Sequence, residues 1–375
     1  MLAKDSLQAQ HCKRADSLMM IQEYLLALKE YELCFQADTT NLTSRENLAN
    51  CLFLLGDYQA ARLHYHTLEN DSSYYHLAIS KLASIYETQQ NLPKAIRYNL
   101  ALRKLYPGNP AYLRKLGHLY LQGNETTQAL ESFREALLLN PRDLLSIQGM
   151  AEMMMSLDEL NACDSLVRHG LEVDSMHIGL SLLSARVRFR LKDYSAVAGI
   201  LNRMNTLTDL NNYYHKLLGY AWMQTDSLDK AIFHLRRSLL NESNPEYALY
   251  YLGLAYEKMK DYERSDYYYN EALKVGVSDN ISNYYRGLAR NSTNNKRLKD
   301  AIHHYTECLR YSQDPEILFY LGSLSEQYYK DKTKAVRWYE KYLNHKSRDK
   351  YNAVIAQQRI KYLNEQKFMK SGAKK

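Results

Sequence analysis

Histidine and cysteine are the side chains of this 375-residue sequence best suited to metal or acid–base chemistry, and their spacing argues against both. His64 and His66 lie two apart, so on a helix they point away from each other, and the adjacent His303 and His304 diverge as well. Asp300 and His304 share a helical face, but a metal would need further ligands, and an exposed ion pair is the better reading. The five cysteines, Cys12, Cys34, Cys51, Cys163 and Cys308, are odd in number and scattered, with no CxxC spacing. They read as small buried apolar residues, and unpaired thiols fit a reducing compartment, which favours the cytoplasm over export. There is no phosphate-binding glycine loop, no GxSxG and no HExxH, and no carboxylate pair stands in a context that implies burial. No enzyme activity, cofactor or metal is expected.

The elements that carry these residues are helical. Leu, Ala, Tyr, Lys, Glu and Asn dominate, β-branched residues are sparse, and six prolines and fourteen glycines are spread along the chain without marking a linker. The expected class is all-α. No window of eighteen uncharged apolar residues exists, and the first ten residues hold no apolar stretch of leader length. Net charge is +7, but residues 345–375 contain nine Lys or Arg against two Asp or Glu, which leaves forty of each sign in residues 1–344. The body is neutral and the tail basic.

Small residues recur at Ala15, Ala49, Ala83, Gly117, Ala151, Ala185, Gly219, Gly253 and Gly287, each 34 after the last, and at Gly322 after 35. Twelve residues after most of them stands another, at Ala27, Ala61, Ala95, Ala129, Cys163, Ala231 and Ser265, with Ala301 and Ala335 displaced by short insertions and Val197 the bulky exception. Four further on comes a large side chain in most cases: Tyr31, Tyr65, Phe133, Val167, Leu201, Leu235, Tyr269, Tyr305 and Tyr339, with Asn99 the exception. Such a pattern predicts helical hairpins whose small residues let backbones approach while the large one fills the space against the next hairpin. Gly56-Asp57, Gln90-Asn91, Gly123-Asn124, Lys192-Asp193 and Lys260-Asp261 are turn signals between the helices, and Pro107 and Pro141 stop second helices.

This pattern resembles the tetratricopeptide repeat, most closely over 110–143, where Leu113, Leu116-Gly117, Tyr120, Ala129, Phe133, Ala136 and Pro141 stand at the family's signature places. The resemblance implies a right-handed superhelical solenoid of antiparallel helix hairpins over 1–349. Its ten repeats fall near 8–41, 42–75, 76–109, 110–143, 144–177, 178–211, 212–245, 246–279, 280–314 and 315–349. Cys163 and Val197 depart from the pattern, which makes 144–211 a candidate bend. Residues 350–375 form a capping helix and basic tail. Tyr351, Val354, Ile355, Tyr362 and Leu363 make the apolar face of the cap, and Lys367, Lys370, Lys374 and Lys375 form a solvated end.

First helices line the concave face in this family. Its carboxylate-clamp places hold Cys12, Asp16, Asn47, Leu77 and Lys81 here, and Asp16 would repel a carboxylate. The same resemblance puts Tyr213, Tyr220, Tyr247, Tyr250, Tyr251, Tyr284, Tyr285, Phe319 and Tyr320 in the groove, as two ladders, Tyr250-Tyr284-Phe319 and Tyr251-Tyr285-Tyr320. Asn47, Lys81, Arg114 and Lys115 form a second, polar stretch. Packing between adjacent repeats is the alternative for the tyrosines. It would require a buried partner for each hydroxyl, whereas a groove leaves them wet.

The expected function is a non-enzymatic scaffold that binds a peptide or partner-protein segment. A helical-repeat nucleic-acid binder is the alternative, since tyrosine and arginine stack bases, but the neutral body argues against it. An accessory or sensor module of a larger complex is the third reading. Membrane contact is expected only as weak attraction through the basic tail.

Overall fold

The computed structural model describes residues 2–276 and 279–372, and its described residues form helices and no strand. Helices α1 to α10 are Leu2–Met20, Tyr24–Ala37, Leu42–Leu54, Tyr58–Leu68, Tyr75–Thr88, Leu92–Leu105, Pro110–Gln122, Thr126–Leu139, Leu144–Ser156 and Leu160–Val173. Helices α11 to α21 are Ile178–Arg190, Tyr194–Leu207, Asn212–Gln224, Leu228–Arg237, Glu246–Lys258, Tyr262–Val275, Ile281–Asn294, Leu298–Cys308, Glu316–Tyr328, Thr333–Leu343 and Lys350–Gly372. Lys374 and Lys375 of the basic tail lie outside the described residues, whereas Lys367 and Lys370 fall within α21.

The turn inside the first nine hairpins is local chemistry repeated. One residue takes a left-handed φ at Gln22, Gly56, Gln90, Asn124, Asp158, Lys192, Asp226 and Lys260, each 34 after the last, and again at Lys296. The next residue is the N-cap position of the second helix, and at four of the nine its side chain closes the cap. Asp57, Asn91, Asp193 and Asp261 each accept a hydrogen bond from the backbone N–H three residues on. A left-handed residue followed by an N-cap reverses the chain in two residues, so the helices it joins must lie side by side.

Packing follows the three sequence positions. Ala27, Ala61, Ala95, Ala129, Cys163, Val197, Ala231, Ser265, Ala301 and Ala335 are fully buried, and the large residues four further on are buried in every case, Asn99 included. A Cβ added at Gly117 would come within 2.8 Å of the Phe133 ring, and one at Gly253 within 2.7 Å of Tyr269. Mid-helix glycine ordinarily costs about 1 kcal/mol against alanine. Here it gives an aromatic ring room to lie directly on the backbone.

The chain divides into two compact units, 1–183 and 184–375, and the division falls inside α11. In the first unit α1 packs on α2, α3 on α4, α5 on α6, α7 on α8 and α9 on α10; in the second α13 packs on α14, α15 on α16, α17 on α18 and α19 on α20. The small residues at Ala151 and Ala185 are fully buried although their hairpins carry Cys163 and Val197.

Two sequence expectations are corrected. Cys12 and Cys34 are joined by a disulfide that ties α1 to α2, while Cys51, Cys163 and Cys308 are buried outside it. The reading of five unpaired cysteines fails, and the argument for a reducing compartment fails with it. Helix α21 does cover α20, and Leu363 packs there as expected, but the rest of the contact face is rotated from the one expected. Ala353, Ala356, Ile360 and Leu363 pack against Tyr339 and Tyr342, and Tyr351, Val354 and Tyr362 are exposed. Its rotation is set by Ala356, which is fully buried at the Tyr339 ring, and by Arg359, whose guanidinium bonds both oxygens of Glu326.

Candidate functional site

The tyrosines of the second unit sit on successive first helices because their spacing keeps one face. Tyr213 and Tyr220 are seven apart on α13, and Tyr247 with Tyr250 and Tyr251 are three and four apart on α15. Ring contacts join them. Tyr220 lies 4.7 Å from Tyr251 between ring centroids, Tyr251 lies 5.6 Å from Tyr250 and 6.4 Å from Tyr247. Tyr213, Tyr247 and Tyr320 are 45%, 39% and 45% exposed, which leaves most of a ring edge available. Tyr220, Tyr250, Tyr251, Tyr285 and Phe319 are half-buried. Burial, followed by the neighbouring Tyr220 and Tyr250 hydroxyls, pushes the Tyr251 hydroxyl up to about 12, so it stays a neutral donor at any physiological pH.

Tyr284 does not belong to this surface. It is fully buried between α15 and α16, and its hydroxyl donates to Glu246 Oε1 at 2.6 Å. The ladder from Tyr250 through Tyr284 to Phe319 is therefore interrupted by a core residue. Its neighbours have separate settings: Tyr285 stacks on Tyr311 and Tyr320 on Tyr305, while Phe319 lies against Tyr339 and Tyr342. The objection to buried tyrosines, that their hydroxyls would lack partners, holds for Tyr65 but is met by carboxylates at several others. Tyr31 donates to Asp16, Tyr269 to Glu257 at 2.6 Å, Tyr339 to Glu326 and Tyr342 to Glu316 at 2.8 Å. Acidic residues that read as surface charge in the sequence serve as acceptors for the core.

Cations of the polar stretch are already engaged. Arg114 bonds both oxygens of Asp143 at 2.9 and 2.8 Å, and Lys115 stands 3.6 Å from Glu87. Lys81 donates to Asn50 Oδ1 at 3.1 Å and lies 4.4 Å above the Phe53 ring, and burial pulls its pKa down. Asn47 is half-buried on α3. An anionic peptide would have to displace these internal partners.

Comparison with known proteins agrees with this geometry at two places. Tetratricopeptide repeat models match residues 112–143, which span α7 and α8, and residues 247–275, which span α15 and α16. A tetratricopeptide repeat protein from Parabacteroides merdae superposes with a TM-score of 0.50 at 15% identity, over 67% of this chain and 99% of that one. This chain carries tetratricopeptide repeats. Among curated relatives, Protein CTR9 homolog of Arabidopsis thaliana is 30% identical over 123 residues, and Tetratricopeptide repeat protein 21A of Mus musculus is 22% identical over 241. Those stretches are 32% and 63% of this chain but only 11% and 16% of the relatives' own lengths. Tetratricopeptide repeats build protein-interaction scaffolds, and that level of function follows from the fold.

Histidines in this repeat protein are structural where their partners are seen. His66 contacts Glu69 and the Tyr86 hydroxyl, and His64 meets the Phe35 ring edge-on. His303 and His304 lie with ring centroids 5.3 Å apart. No group of three or more metal-ligating side chains is found among the described residues. No described helix is long and apolar enough to cross a membrane. Sequence reasoning missed Phe189 and Tyr194, whose rings lie 5.4 and 5.5 Å from Tyr220 and extend its cluster. A signal was present, because Phe53 and Tyr58 pack edge-on at the equivalent places four repeat lengths earlier, as Phe189 and Tyr194 do.

Proposed function

We propose that this chain is a non-enzymatic scaffold divided into ten hairpins over 8–349 and a terminal helix segment over 350–375. Its second unit binds a segment of a partner protein on the tyrosine surface of α13 and α15. The observation that carries the reading is the continuous set of rings Tyr220, Tyr251, Tyr250 and Tyr247, half-buried at one end and exposed at the other. Tyrosine suits recognition because a large stiff ring loses little entropy when it is fixed and its hydroxyl meets peptide carbonyls. The preferred segment carries apolar side chains and free backbone amides rather than a carboxylate terminus, since Arg114, Lys115 and Lys81 have partners of their own.

A capture experiment from the native host, read by mass spectrometry, compares wild type with Tyr247→Ala/Tyr251→Ala. Truncating central aromatic anchors costs about 2 kcal/mol or more in affinity, so the wild-type partners are expected to disappear while the helical circular dichroism spectrum is kept. Retention of the same partners by the folded double variant overturns the assignment.

A further inference from the structure

We propose that the groove between α18 and α20 is a binding site for a soluble diphosphate, a compact anion of two linked phosphoryl groups. The second helices α18 and α20 each pack on the first helix α19. Between them lies a cavity of about 350 Å³ with α19 at its floor. That volume falls at the lower end of the range for small-molecule sites, about 300 to 1,000 Å³. The groove uses other helices than the tyrosine surface of α13 and α15 and does not rest on the function read from that surface.

The two walls differ in charge. Lys334, Arg337 and Lys341 stand three and four residues apart on one face of α20 and line the cavity, whose lining contains no carboxylate. Facing them, α18 presents Ile302 and Thr306, and the Thr306 hydroxyl is spent on the Ile302 carbonyl at 2.7 Å. Elsewhere in this unit guanidinium groups are neutralised: Arg290 bonds both oxygens of Glu257 at 2.7 and 2.9 Å, and Arg286 bonds Asp314 at 2.8 Å. Among the described residues no carboxylate stands within ion-pair distance of Lys334, Arg337 or Lys341. Rings hold two of them instead, with the Lys334 ammonium 4.0 Å from the Tyr329 centroid and that of Lys341 4.7 Å from Trp338. Arg337 also borders the cleft toward α21, where Asp331 and Glu340 lie, but Asp331 Oδ1 already accepts from the Thr333 N–H and hydroxyl.

Donors without acceptors select the ligand. Ser325 is fully buried, lines the same cavity, and its hydroxyl has no hydrogen-bond partner among the described residues. A buried polar group left unpaired is costly, and a small anion that reaches the floor removes that cost. A phosphomonoester carries about 1.5 to 2 negative charges near neutral pH, so one leaves the three cations in excess and two linked phosphoryl groups balance them. Helix rise sets Lys334 and Lys341 about 10 Å apart along α20, a span over which long lysine side chains converge on such a group. A carboxylate accepts in one plane, whereas a tetrahedral phosphoryl group accepts from the α20 wall and from the floor at once.

The probe is inorganic diphosphate, titrated calorimetrically into the full chain in metal-free buffer of fixed ionic strength. Saturable binding of one diphosphate per chain is expected, with orthophosphate at least tenfold weaker. Arg337→Gln and, independently, Lys341→Gln should each raise the dissociation constant at least tenfold, and Ser325→Ala at least threefold. Trp222→Phe leaves Trp338 as the single tryptophan of the chain, and its emission should change on binding as the Lys341 ammonium leaves the ring. Tyr247→Ala/Tyr251→Ala should leave the affinity unchanged, so this site and the tyrosine surface fail separately. The proposal is overturned by absence of saturable binding, by affinity indifferent to both α20 variants, by equal affinity for orthophosphate, or by binding that leaves Trp338 emission unchanged. It is equally overturned if phosphatidic acid vesicles or an acidic peptide bind through these residues and diphosphate does not.

Discussion

Tyr284 and Glu246 form a buried donor–acceptor pair in which neither side chain touches bulk water, and such pairs are sensitive to the loss of one member. Tyr284→Phe removes only the hydroxyl and should cost about 1 to 3 kcal/mol, whereas Tyr284→Ala adds a cavity and should cost about 3 to 5 kcal/mol. Urea denaturation followed by circular dichroism reads both; a Tyr284→Ala protein as stable as wild type would return this ring to the groove. Gly253 makes the complementary case. Alanine there would gain about 1 kcal/mol of helix propensity but drive its methyl against Tyr269, and overpacking of this kind costs about 1 to 3 kcal/mol.

Along the hairpin, the left-handed residue is the point at which sequence and geometry disagree most cheaply. Only Gly56 among the nine such turns is glycine, and Lys192, Lys260 and Lys296 take a φ that L-residues resist. Lys260→Gly should therefore stabilise the chain by about 0.5 to 1 kcal/mol, seen as a raised urea midpoint; a lowered midpoint would mean that the lysine side chain supplies more than its backbone costs. The helices, their turns and the buried small and large positions were legible in the sequence because a 34-residue spacing repeats the same steric requirement. Three features were not. The rotation of α21 depends on Arg359 meeting Glu326, a pairing 33 residues apart that no local pattern announces. Cys12 and Cys34 come together only once α1 folds back on α2. The removal of Tyr284 from the groove depends on Glu246, 38 residues earlier, as its acceptor. In each case a local pattern showed the element but not the distant polar partner.

At the level of the whole chain, stability should depend on acidity through a buried imidazole pair. His215 and His234 face each other with Nδ1 atoms 3.1 Å apart, and burial first, then His215 and Arg237, holds the His234 pKa near about 4. The charged groups around the pair are Arg237 and Asp209. Because the folded pKa lies below the unfolded value of about 6.5, the unfolded chain binds the extra proton between these limits. The stability is present in full above pH 6.5 and is lost as pH falls toward 4, by at most about 3 kcal/mol from this residue. Melting curves at pH 7 and 4.5 test it, and His234→Gln should flatten the difference; an unchanged slope would place the acid sensitivity elsewhere. A last consequence follows from the carboxylate clasps of Arg290 and Arg359. Both span 33 residues, although extra residues in the intervening loops lengthen the spacing of the turns from 34 to 36 between Lys260 and Lys296. The second interval keeps its clasp even with an extra residue between Glu326 and Ala335, nine apart where Glu257 and Ser265 are eight, so the clasp tolerates a longer turn inside it. Length changes in the lineage of such a chain should therefore gather in the turns between paired helices rather than in the helices that carry the clasps.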